Sequence, residues 1–232
     1  MNREELIGWA GLIIGVPGFL LLFIQGQAVT ALALIALCGV LVWMRWSFNQ
    51  PDFTLLQVER TITFQDPQAR VALMERRQVA RANHRGLVEF CFKNIIADGS
   101  IQNLLIDGRA PDYQGISCGA TEVCKYFPQL ERGQINELTL TYELVDSFSK
   151  DSEAIIHSVA HKTKLLRVIV KCHPQRPIRN ARATLRFAGQ PYKNLHQPKL
   201  TNNGCQIEFE IKKPRLGAQY YIEWEWYRLE DK

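Results

Sequence analysis

The sequence contains no acidic or basic residue between Leu6 and Met44. One helix needs roughly 20 apolar residues to cross a bilayer core about 30 Å thick, so this run is too long for a single straight crossing. Polar residues 25–27 interrupt it, and Gly26 lowers the helix propensity at that point. The pattern predicts two transmembrane helices joined by a tight turn, a hairpin over residues 1–46.

Two other interpretations of this run are less favourable. A signal peptide would need a basic start and an apolar segment of about 7–15 residues, but the chain begins MNREE and its apolar run is longer. A hairpin buried in a water-soluble protein would need more covering chain than this sequence offers. Arg3 and Arg45 flank the run while the turn is uncharged, so the positive-inside rule predicts a membrane protein with two spans and both termini in the cytoplasm.

Cysteine pairing patterns and catalytic motifs are also lacking. No C-x-x-C, Walker A loop, G-x-G-x-x-G or G-x-S-x-G is present. His157 and His161 have the spacing of a helical metal pair but lack the Glu of H-E-x-x-H, and Cys172 and His173 would point to opposite faces of a strand. We therefore expect no disulfide framework, no metal, no cofactor and no enzymatic activity, in a reducing compartment.

Alternating apolar and polar residues dominate the remainder of the chain. ELTLTYELV, QIEFEIK and YYIEWEWY each place apolar side chains on one face, the pattern of half-buried strands. With similar segments elsewhere, the sequence predicts about eight or nine strands in an all-β sandwich or barrel over residues 55–232, after a juxtamembrane linker at 47–54. Short helices are weighed for GATEVCKYFPQL and SEAIIHSVAHKT.

Four glycines of the first predicted span fall on one helical stripe. Small residues let membrane helices pack closely, so this stripe would contact either the second helix of the same hairpin or another protomer. The latter would make the protein a homo-oligomer. The stripe consists of Gly8, Gly11, Gly15 and Gly18.

Residues 154–207 contain no Asp or Glu but many Lys and Arg. Alternation places Arg167 and Lys171 on one strand face and Arg182 and Arg186 on another, which would form one basic surface if the two strands are neighbours. A second basic cluster includes Arg76, Arg77 and Arg81.

Such a basic surface fits a polyanion such as nucleic acid, an oligonucleotide messenger or anionic headgroups. Three tyrosines could stack bases beside it: Tyr113, Tyr192 and Tyr221. The alternative is that the basic side chains are solvated, or pair across the sheet with the glutamates of EFEIK and EWEW.

An apolar hairpin, LIGWAGLIIGVPGFLLLFIQGQAVTALALIALCGVLVWM, followed by strands resembles the two-transmembrane, β-strand-rich effectors of bacterial antiphage defence. These accompany cyclic-oligonucleotide signalling systems and retrons. The resemblance implies a sensor of a nucleotide or nucleic-acid signal and a membrane part that disrupts the inner membrane in abortive infection. The partners would be the lipid bilayer and a reverse transcriptase or nucleotidyltransferase encoded alongside. The competing interpretation is a non-toxic membrane-anchored protein that tethers a partner through its β domain.

Overall fold

The computed structural model describes residues 34–41, 51–117 and 120–227. Contacts within the chain divide it into two units, Met1–Gln50 and Pro51–Lys232. The described part of the first unit is the α-helix at residues 34–41, whereas the second unit consists mainly of strands.

The predicted membrane hairpin over residues 1–46 is wrong. Within the ranges that the structure describes, no helix combines the length and the apolar character that a membrane crossing requires. The helix at residues 34–41 rises about 12 Å, because an α-helix rises 1.5 Å per residue. The rest of the predicted hairpin lies outside the described residues, and so do Gly8, Gly11, Gly15 and Gly18.

The expected fold class, a helical hairpin followed by a β domain, is therefore corrected to a β-rich fold. The two-span inner-membrane localisation is corrected with it.

Fourteen strands are found in the described part of the chain. They are β1 (Phe53–Phe64), β2 (Val71–Ala82), β3 (Leu87–Ile95), β4 (Ser100–Ile106), β5 (Tyr113–Ser117), β6 (Ala120–Leu130), β7 (Ile135–Val145), β8 (Ser152–Ser158), β9 (Leu165–Lys171), β10 (Ile178–Arg186), β11 (Lys193–Asn194), β12 (Lys199–Thr201), β13 (Gln206–Lys212) and β14 (Gln219–Trp226).

The strands form three sheets. Seven strands have the order β12-β13-β9-β1-β2-β7-β4, four have the order β11-β10-β14-β8, and three have the order β3-β6-β5. Neighbouring strands are antiparallel except β1 and β9, which are parallel. In this topology β9 and β10, the two strands that carry the predicted basic positions, belong to different sheets.

The core lies where the seven-stranded and four-stranded sheets meet. Alternation along β7 buries one face of the strand, as its sequence predicts. Phe64 on β1 packs edge-on against Trp226 on β14, with 5.1 Å between ring centroids, and Trp224 lies 6.2 Å away. Phe148 completes this aromatic cluster. Aromatic side chains bury large apolar areas, so the cluster joins the two sheets.

The two segments weighed as helices are strands. GATEVCKYFPQL contains the whole of β6, and SEAIIHSVAHKT contains the whole of β8. Ile155 and His157 are buried while Ile156 between them is exposed, which is a period of two. Pairing of β8 with β14 imposes the strand conformation on a segment whose apolar spacing also fits a helix.

The expectation of no disulfide is also wrong. Cys91 on β3 lies directly opposite Cys124 on β6, with 4.0 Å between Cα atoms, and the two form a disulfide. Their separation of 33 residues gives no local motif, because the register of the two strands sets the pairing. A structural disulfide of this kind is typical of oxidising compartments.

Candidate functional site

The four basic candidates from residues 154–207, the range without Asp or Glu, lie on two different sheets. Arg167 and Lys171 lie on β9, whose neighbours are β13 and β1, and Arg182 and Arg186 lie on β10, whose neighbours are β11 and β14. The condition for one continuous basic surface, that these strands be neighbours, is therefore not met.

On the outer face of the seven-stranded sheet, acidic and basic side chains alternate across the strands. Arg167 bridges Glu59 and Glu208, with N to O distances of 3.4 Å each. Arg77 pairs with Glu137 at 2.6 Å. Arg167 and Arg77 thus follow the cross-strand pairing alternative. Lys171, at the exposed end of β9, and Arg81, half-buried on β2, complete the basic positions of this face.

Arg182 on β10 is also paired. It lies opposite Glu223 on β14 and forms an ion pair with that carboxylate. An exposed pair of this kind contributes about 0–1 kcal/mol to stability. Its charge is largely compensated locally, so Arg182 is a weaker candidate for binding an anion than a free arginine.

Arg186 lies beside two tyrosines on the outer face of the four-stranded sheet. Its guanidinium is 5.7 Å from the centre of the Tyr192 ring, and Tyr192 packs edge-on against Tyr221 at 5.2 Å. The pKa of Arg186 is raised, mainly by a hydrogen bond to the hydroxyl of Tyr221 and to a smaller extent by Tyr192. No carboxylate of the described residues lies within ion-pair distance of Arg186. The third predicted tyrosine, Tyr113, lies on β5 of a different sheet.

Two cavities adjoin near Arg186. The first, about 620 Å³, is an open hollow lined by Arg186. The second, about 400 Å³, is lined by Arg60. Asn94, Ser158 and Gln219 line both cavities, so the two cavities are neighbours. Each volume is in the range of small-molecule sites.

Arg60 and Arg76 lie directly opposite each other on β1 and β2 and point into the protein. Arg60 is 8% exposed and donates to the carbonyl oxygen of Ile156 at 2.7 Å and to the Tyr142 hydroxyl. Its buried Nε atom has no hydrogen-bond partner among the residues that the structure describes.

Arg76 is partly buried on the same inward face. It donates to the carbonyl oxygen of Lys93 at 3.1 Å, and its guanidinium lies 5.6 Å from the centre of the Phe92 ring. The amide oxygen of Gln78, turned towards Arg76, accepts from Nε and Nη2 at 2.7 Å. Each of these partners is neutral, so they leave the charge of Arg76 uncompensated.

The electrostatics of this pair follow from burial and mutual repulsion. Burial lowers the pKa of Arg60. Burial and the charge of Arg60 lower the pKa of Arg76 to about 9. Burial, followed by the charges of Arg60 and Arg76, lowers the pKa of His157 well below its usual range, so this imidazole is neutral at physiological pH. The interior here is positively charged, and an anion would stabilise it.

The sequence pattern indicated Arg76 as a basic candidate and His157 only as half of a helical metal pair, and it did not indicate Arg60. The burial of Arg60 could have been predicted from the sequence. Val58, Arg60 and Ile62 share one face of an alternating strand, and the two apolar residues predict that this face is buried. An arginine in the apolar register of a strand marks a buried charge.

The described residues give little support to metal ligation. The donor atoms of Glu89, Cys91 and Cys124 lie within 4.8 Å of one another, but the two sulfurs are bonded to each other. His157 lies on β8, and His161, beyond its end, stacks on Phe90. The helical spacing that suggested a metal pair therefore does not apply to these histidines.

No protein-family model matches the chain, and no curated protein matches its sequence. Among solved structures, it is similar to an M1 zinc metallopeptidase from Deinococcus radiodurans (12% identity, TM-score 0.43, 75% of this chain and 42% of that chain). It is also similar to yeast LTA4 hydrolase in complex with Bestatin (11%, 0.43, 74% and 28%). A third similar structure is a putative nutrient binding protein from Legionella pneumophila (9%, 0.48, 75% and 67%). The chain spans less than half the length of the first two proteins. At TM-scores below 0.5, these likenesses carry no argument about its function.

Proposed function

We propose that the β-rich unit is a sensor domain that binds a nucleotide or nucleic-acid signal through the surface of Arg186, Tyr192 and Tyr221. The observation that carries the proposal is an arginine that has no carboxylate partner in the described part of the chain and lies beside two tyrosine rings. A guanidinium binds phosphate through its fork of N–H donors, and aromatic faces stack bases of any sequence.

The hollow lined by Arg186 supports the same proposal. The Tyr221 hydroxyl donates to Gln219 at 3.0 Å, and Gln219 lines both cavities. A base stacked on Tyr192 would therefore lie next to a hollow large enough for the remainder of a nucleotide. The role we propose is recognition rather than catalysis. Antiphage defence is the proposed setting on the resemblance of the sequence alone, and membrane disruption is no longer part of the proposal.

Binding of a fluorescein-labelled single-stranded oligonucleotide and of a cyclic dinucleotide tests this proposal by fluorescence anisotropy and calorimetry. Arg186→Glu and Tyr192→Ala should each weaken binding about tenfold, which is the expected effect of removing one stacking or phosphate contact. Arg186→Glu should also flatten the dependence of affinity on salt between about 50 and 200 mM, because fewer counterions are released.

Lys171→Glu is the matched control. It makes the same change of charge on the other sheet and should leave affinity within about twofold. The proposal fails if the wild-type protein binds neither probe. It also fails if Arg186→Glu and Lys171→Glu have equal effects.

A further inference from the structure

Arg60 and Arg76 form a cross-strand pair of like charges on the inward face of the seven-stranded sheet. Like charges directly opposite each other destabilise a sheet. Glu59, one residue before Arg60, lies on the opposite face of the same strand and has a partner of opposite charge. On the outer face it accepts from Arg167, whereas among the described residues no carboxylate lies within ion-pair distance of Arg60 or Arg76. The positive charge inside is therefore left without an anion.

The hydrogen bonds of Arg60 leave part of its guanidinium unused. An arginine side chain has five N–H donors in a planar fork. The bonds to Ile156 and Tyr142 engage neutral acceptors, and the Nε atom, in a side chain more than nine-tenths buried, has none. A buried donor without a partner is rare in folded proteins, and this one belongs to a charged side chain.

Arg60 lines the cavity of about 400 Å³, whose other walls come from the β3–β4 connection and from β8. Three carboxylates also line this cavity, but each has its own partner. Asp98 pairs with Lys150 at 3.7 Å, and Glu153 accepts from the backbone N–H of Lys150 at 2.5 Å. Glu223 pairs with Arg182. The acids that line the cavity thus have partners of their own, whereas Arg60 has no carboxylate partner among the described residues.

We propose that this cavity binds a small molecule through a phosphate group, with Arg60 as its direct partner and Arg76 as the second positive charge. Two guanidinium groups match the charge of a phosphate dianion better than that of a monoanionic carboxylate. The site is separate from the surface of Arg186, and the inference does not depend on the proposed function.

Thermal melting and calorimetry of the full chain in inorganic phosphate, acetate and chloride at equal ionic strength test the inference. Phosphate should raise the melting temperature of the wild-type protein more than acetate or chloride does. In Arg60→Gln the concentration of phosphate for half of this response should rise about tenfold or more, the effect of losing one charged hydrogen bond.

Two controls separate this site from general salt effects and from the proposed function. Arg77→Gln removes the neighbouring arginine on the outer face and should keep the wild-type response, and so should Arg186→Glu. Phosphate also stabilises folded proteins by exclusion from their surface, but this effect is common to all variants. Arg60→Lys, which keeps the charge, should retain a weakened response, and Arg76→Gln replaces Arg60→Gln if the latter does not fold.

Three results would each overturn the inference. They are the absence of a phosphate-specific response in the wild-type protein, an equal response in Arg60→Gln, and equal stabilisation by acetate. If Arg186→Glu loses oligonucleotide binding but keeps the phosphate response, the phosphate site at Arg60 is supported. The failure of one proposal can therefore be distinguished from the failure of the other.

Discussion

Replacement of Arg76 by Gln should change how the stability of the protein depends on pH. Partial burial next to Arg60 lowers the pKa of Arg76 in the folded protein to about 9. In the unfolded chain the same group keeps its usual, much higher pKa. Between these values the unfolded state binds more protons than the folded state, so this group makes stability rise with pH. Below the folded pKa both states are protonated, and the energetic penalty of the buried charge is present in full.

The expected magnitude follows from this difference. Between about pH 8 and about pH 10.5, the linkage relation gives the wild-type protein a gain of about 2 kcal/mol relative to a variant without the group. Because Arg76 is partly exposed, solvent screening reduces the expected gain to about 1–2 kcal/mol. Other lysines and tyrosines titrate in this range, but they are common to both proteins and cancel in the comparison.

Urea unfolding of the wild-type protein and of Arg76→Gln, in buffers without phosphate and at several pH values, measures this difference. The free energies of unfolding of the two proteins should diverge as the pH rises, in favour of the wild type. Arg77→Gln is the control and should show no such divergence, since that side chain is exposed. Parallel pH profiles for the wild type and Arg76→Gln would refute the claim that the interior holds an uncompensated arginine.

Three further outcomes are expected elsewhere in the fold. Arg167→Gln should lower the free energy of unfolding by about 0–1 kcal/mol in urea melts and leave oligonucleotide affinity unchanged, because its ion pairs lie on the solvent-facing side of the sheet; a large loss of affinity would contradict this. The thiol of Cys172, whose pKa burial raises to about 12, should resist iodoacetamide at neutral pH until the protein is unfolded; rapid labelling of the folded protein would contradict this. Gly99→Ala should destabilise the protein in thermal melts, because the added methyl group would overlap the carbonyl oxygen of Val145; an unchanged melting temperature would contradict this.

The strands that sequence reasoning predicts best are those whose ends are marked by turn residues. QIEFEIK matches β13 at both ends, and ELTLTYELV ends at the same residue as β7. β6 was not predicted as a strand, because its exposed and buried residues follow no regular period and it contains Pro128. The apolar run near the N-terminus was misleading, because its length alone suggested two membrane helices.

The candidate site was only partly predictable for a related reason. The sequence indicated Arg186 because it lies in residues 154–207, which contain no Asp or Glu. It indicated Tyr221 as an aromatic side chain that could stack a base. The buried state of Arg60, however, depends on a contact with the carbonyl oxygen of Ile156, 96 residues away in sequence. Assignment of β9 and β10 to different sheets is likewise a property of the whole topology, which no local pattern encodes.

The most direct test of an anionic ligand in this protein is a crystal soaked in tungstate, a dianion whose anomalous signal locates it without ambiguity. In wild-type crystals we expect tungstate in the cavity lined by Arg60, within hydrogen-bond distance of the guanidinium. In Arg60→Gln crystals we expect no tungstate in this cavity. An empty cavity in the wild type, with tungstate bound only at outer-face residues such as Lys171, would contradict it.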